Sequence, residues 1–131
     1  MTSRNGSPLA ARIDAIEEAY EFMLAYAAQG RMDEGDHALS QVRALLNGAA
    51  TALEGVDAAA TEAFAGHPAR DAAAPFVAVL GEDARKALAA MRLTLAAKSI
   101  SSQLVDNLNG SIHVRAMLTD IFILDEFLKG A

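Results

Sequence analysis

The sequence predicts an all-α protein, an up-and-down four-helix bundle with room for one extra short helix. Alanine, the strongest helix former, makes up about a fifth of the 131 residues, accompanied by leucine, glutamate and arginine. Apolar residues recur at spacings of three and four along most of the chain, which is the helical period. Prolines number three, and runs of β-branched residues are scarce. Four helical stretches joined by short turns make antiparallel neighbours. The length is that of one domain. Residues 1–6 read as a flexible polar tail and residues 7–131 as a single helical domain.

Ser7-Pro8 reads as an N-cap followed by proline at the first helical position. The first helix is expected to run to about Gln29 and to stop at Gly30. Its core stripe is Leu9, Ile13, Ile16, Tyr20, Met23 and Ala27. Ala15, Ala19, Phe22 and Tyr26 form a smaller stripe beside it, from which Phe22 and Tyr26 are candidates to extend a binding face. The acids Asp33, Glu34 and Asp36 precede the next helix, where negative charge favours the exposed N–H groups. That second helix carries Leu39, Val42, Leu46, Ala49, Leu53 and Val56. It is open to continuation through Ala60 to Phe64, with Gly48 and Gly55 weakening it. Gly66-His67-Pro68 is the strongest breaker in the chain.

The third long helix starts between Asp71 and Pro75. Its stripe is Phe76, Leu80, Ala84, Ala87, Leu88, Met91 and Leu95, with Gly81 as a candidate split. Ser99 to Ser102 reads as a joint, and Leu104, Val105 and Leu108 support a short helix. A break at Asn109-Gly110, with Ser111 capping the last helix, keeps Arg115 out of an apolar stripe.

The last helix, Ile112 to Lys129, is apolar on two faces. Val114, Met117, Leu118, Ile121, Leu124 and Leu128 form one stripe; Ile112, Ala116, Ile123 and Phe127 form a second. A surface helix needs one apolar stripe, so a helix with two is covered on two sides. Either this is the central helix, or its second face meets a partner. The candidate interface residues are therefore Ile112, Ala116, Ile123 and Phe127, with Phe22 and Tyr26.

Charge and composition remove several function classes. A net charge of −6 with scattered Lys and Arg argues against a nucleic-acid partner, which needs a basic patch. Without cysteine there are no disulfides, thiolate metal sites or cysteine nucleophiles. The N-terminus lacks the apolar core of a signal peptide, and no apolar run is long enough to span a membrane. The chain reads as cytoplasmic, and its alanine excess is associated with GC-rich bacterial genomes.

The polar groups read as local structure. His37, His67 and His113 lack the close spacing of a zinc pair. Asp33, Glu34, Asp36 and His37 lack the pattern of a calcium loop. Glu17, Glu18 and Glu21 come without the Glu-x-x-His motif of di-iron bundles. His113 with Arg115 and Asp120 does not match a phosphotransfer motif. Asp106, Asn107, Asn109 and Ser111 read as a turn. No catalytic residue, cofactor or metal ligand is expected. The expected function is that of a small acidic non-enzymatic interaction module, such as an adaptor, regulator or chaperone of the secretion or flagellar-export kind. It would bind a protein partner, or itself as a homodimer, through the C-terminal helix. The alternative is a ligand-binding or catalytic bundle with a small-molecule site near Tyr20, Met91 and the Asp106–His113 segment.

Overall fold

The computed structural model describes residues 7–130; the expected tail at residues 1–6 lies outside them. The described residues form six α-helices and one 3-10 turn, with no strand. The packing is compatible with a helical bundle. The helices are α1 (Pro8–Ala28), α2 (Gln41–Leu53), α3 (Val56–Ala63), α4 (Arg70–Leu95), α5 (Ser102–Gly110) and α6 (Ile112–Gly130), and the 3-10 turn is His37–Leu39.

Each boundary has a local cause. Ser7 Oγ accepts the Ala10 N–H at 3.0 Å and starts α1, as an N-cap hydroxyl does. Ser40 and Ser101 do the same for α2 and α5 through the N–H groups of Arg43 and Leu104. Ser111 ends α5 and caps α6 through Val114 N–H at 3.2 Å. This agrees with the break expected at Asn109-Gly110. The 3-10 turn is capped separately by Asp36, whose carboxylate accepts the Ala38 N–H.

The second helix differs most from expectation. Leu39 is not part of it: the residue sits in the 3-10 turn and is 83% exposed. At the other end Gly55 takes a left-handed backbone with φ of 73°, and the continuous helix becomes α2 and α3. An L-residue there crowds its Cβ against the following carbonyl. Gly55→Ala should therefore cost about 1–2 kcal/mol, read as a lower denaturation midpoint.

Gly81 does not split α4. It lies under α3, where an added Cβ would sit 2.5 Å from Asp57 Oδ2. The missing side chain allows α3 to approach; Asp57 then pairs with Arg85 of α4 at 3.7 Å.

α1 packs on α2, α3 and α5, while α4 packs on α2, α3, α5 and α6. One continuous core joins them, including Ile13, Ile16, Leu46, Leu80, Met91, Met117 and Ile121. On α1 the expected stripe is rotated slightly. Tyr20 and Ala27 are half-buried, and Ala19 and Tyr26 take the interior positions.

A polar clasp ties the connection after α1 to the joint between α4 and α5. Glu34 is buried and receives two hydrogen bonds from Arg43, Nε to Oε2 at 2.9 Å and Nη2 to Oε1 at 2.7 Å. Ile100 N–H donates to the same carboxylate at 2.7 Å. Arg43 also donates to the carbonyls of Leu95 and Ala97, closing the end of α4. The Arg43 hydrogen bonds, helped by Ser40 and Ile100 and opposed by burial, hold the Glu34 pKa down at about 2. Tyr26 completes the clasp by donating its hydroxyl to Ile100 O at 2.5 Å. Ser102 Oγ donates to Tyr26 O and accepts the Arg31 N–H.

Candidate functional site

At the far end of α4 from this clasp, the start of that helix meets the end of α6 and leaves an apolar groove of about 210 Å³. Its walls are Phe64, Ala69, Ala72, Ala73 and Phe76 on one side and Ile123, Leu124 and Phe127 on the other. The sequence produces the hollow directly. Alanines 72 and 73 bring α4 past α6 with little side chain between them, while the aromatics stand at the ends. α3 stops at Phe64, and Gly66 turns the chain with φ of 77°. His67 then substitutes for a capping side chain at the start of α4: its Nδ1 accepts the Ala69 N–H at 2.9 Å. The imidazole is held against two rings. Its centroid lies 5.3 Å from Phe64 and 5.8 Å from Phe127, and the two phenylalanines are 6.0 Å apart. Edge and tilted arrangements at these distances are the favoured ones.

A second, more polar depression adjoins the groove at Phe127 and is lined by His67, Pro68, Glu126 and Gly130. The neighbouring cations are engaged: Lys129 Nζ lies 3.2 Å from Asp125 Oδ2, and Arg70 lies beside Asp71. Glu126 makes no ion pair among the described residues, so it gives this end of the groove a negative rim.

Along α6 the two stripes separate. Val114, Met117, Leu118, Ile121 and Leu124 are buried. Ile112 is 74% exposed, Ile123 52% and Phe127 46%, with Ala116 half-buried between them. These four lie on one side of the helix over ~22 Å. The other two expected interface residues are elsewhere. Tyr26 corrects the sequence reading: it is buried, its hydroxyl is bound to Ile100, and burial raises its pKa. Phe22 is half-buried, packs on the core and stacks near Tyr26 at 6.2 Å.

The remaining polar candidates do not assemble into one site. His37 Nε2–H donates to Lys98 O at 2.7 Å, at the edge of the clasp. His113 and Arg115 are exposed, whereas Asp120 is buried against α4. Met91 lies inside the core while Asp106 and Asn107 face outward. Among the described residues no three of His, Cys, Asp and Glu gather as a metal site would require. No helix among them is long and apolar enough to cross a membrane.

The periodicity singled out Ile123 and Phe127 but missed the opposing wall. Phe64 read as the possible end of a longer helix, and Phe76 as core. The available signal was a pair of phenylalanines flanking Gly66-His67-Pro68, with an alanine run between. Comparison with protein-family models, curated proteins and solved structures returns no match.

Proposed function

We propose that this chain is a non-enzymatic helical interaction module that receives a short amphipathic helix of another protein, apolar on one face and carrying Lys or Arg at its flank. The observation that carries this reading is the groove between α4 and α6, walled by Phe76, Ile123 and Phe127 and left open to solvent. Its volume, about 210 Å³, is below the roughly 300–1,000 Å³ of a small-molecule pocket. It suits one or two apolar side chains, which is how a helix lying in a groove is anchored. Charge selects among partners. The chain is at −6, and Glu126 borders the groove, so a basic flank is attracted and an equally acidic second copy is repelled. The scaffold suited to this role is a four-helix bundle of α1, α2, α4 and α6. The packed pairs α1–α2, α2–α4 and α4–α6 support it, with α3 and α5 as short insertions.

The test is a titration of isotope-labelled protein with two synthetic helices, one of leucine and lysine and one of leucine and glutamate. Amide shifts should move for Phe64, Ala72, Phe76, Ile123 and Phe127 with the basic helix and far less with the acidic one. Shifts scattered over the acidic surface would count against a groove. Sedimentation showing concentration-dependent dimers, lost on Phe127→Ser, would reassign the groove to a second copy.

A further inference from the structure

The α4–α6 interface contains a carboxyl group that neither the core nor the groove explains. Asp120 lies at the edge of the inner face of α6 and is 7% exposed. Its Oδ2 has no hydrogen-bond partner. Across the interface the group that disfavours its ionised form is another acid, Asp83 of α4. Lys86 and Arg85 on α4, Arg115 on α6, Asp57 on α3 and Asp106 on α5 belong to the surrounding elements, yet Asp83 is the one charged group acting on Asp120. Arg85 is turned to Asp57 instead. An ionised carboxylate can only accept hydrogen bonds. Two of them in contact, with no cation, can bond to each other only if one keeps its proton.

We propose that Asp83 and Asp120 form a latch that shares one proton, holds α6 against α4 while that proton is present, and loosens when it leaves. Burial, and then the neighbouring Asp83, push the Asp120 pKa from 3.8 up to about 7. Between these two values the folded chain keeps a proton that the unfolded chain has lost, so stability falls as pH rises from about 4 to about 7 and then levels off. Ile123 and Leu124 follow Asp120 by one helical turn, so the α6 wall of the groove rides on the latch. The latch does not depend on what the groove binds.

Thermal melts from about pH 5 to about pH 8.5 on wild type, Asp120→Asn and Asp83→Asn test it. Asparagine at 120 keeps the shape and supplies a permanent N–H donor to Asp83. The wild-type midpoint should drop across the range, and most of that drop should vanish in Asp120→Asn, with the difference centred near neutrality. Parallel curves for the two proteins would overturn the latch. Carbon-13 titration of the wild-type aspartate carboxyls gives a readout that survives a variant that fails to fold. One carboxyl should titrate near neutral pH; if every one titrates in the ordinary acid range, the latch does not exist.

Discussion

Glu34→Ala should lower the stability of this protein by about 3–5 kcal/mol, the largest loss expected from any single polar change. The carboxylate is almost fully buried and receives Arg43 through two nitrogens and Ile100 through its N–H. Removing it leaves a part-buried guanidinium without its counter-charge and an orphaned backbone donor. Breaking one half of such a pair costs more than the pair itself contributes. Arg43→Met combined with Glu34→Ala should therefore destabilise less than the sum of the single changes, because the two share one network. A denaturant series on the four proteins measures the coupling. The same group sets the acid limit. Its pKa is lowered from 4.5 to about 2. The stabilisation is therefore present above the unfolded value and is lost as pH falls from about 4.5 toward 2. This is the opposite direction to Asp120, and the two together place the stability maximum on the acid side of neutrality.

Ile121→Ala should cost about 2–5 kcal/mol. Ile121 is wholly buried among the inner residues of α6, and truncation leaves a cavity that the packed helices cannot close. Leu39→Ala removes as much side chain from a residue that is largely exposed, and surface changes of this kind stay within about 0.5 kcal/mol. The contrast is informative because both residues look alike in the sequence, each falling on a three-four stripe.

That contrast also marks what periodicity could and could not reveal. The main stripes of α1 and α6 placed most of the core correctly because each repeats at helical spacing over many turns. Periodicity misplaced Leu39 because it cannot see a cap. Ser40 Oγ binds Arg43 N–H and begins α2 after the leucine. Gly55 and Gly81 are the same residue with opposite outcomes. Gly55 breaks a helix through its left-handed backbone, and Gly81 stays helical while making room for α3. Nothing local distinguishes them; the approach of a second helix does. Tyr20 and Tyr26 exchanged roles for a related reason. The clasp gives the Tyr26 hydroxyl an acceptor in Ile100 O, and Ser102 Oγ holds the Tyr26 backbone carbonyl. The groove was half legible. Ile123 and Phe127 stood out as an unneeded second stripe, but their opposing wall comes from residues some fifty positions earlier, whose proximity only the tertiary fold creates.

On the proposed reading, α6 has an inner face that holds the fold and an outer face that receives a partner. Fluorescence-anisotropy titration of the labelled leucine–lysine helix against wild type and the Ile123→Ser, Phe127→Ser double variant tests it most directly. The account predicts a variant that remains folded, with some loss of stability because Phe127 packs on Phe64 and His67. Its affinity for the peptide should be reduced at least about tenfold, equivalent to about 1.4 kcal/mol. A folded double variant that binds the peptide as tightly as wild type would contradict it.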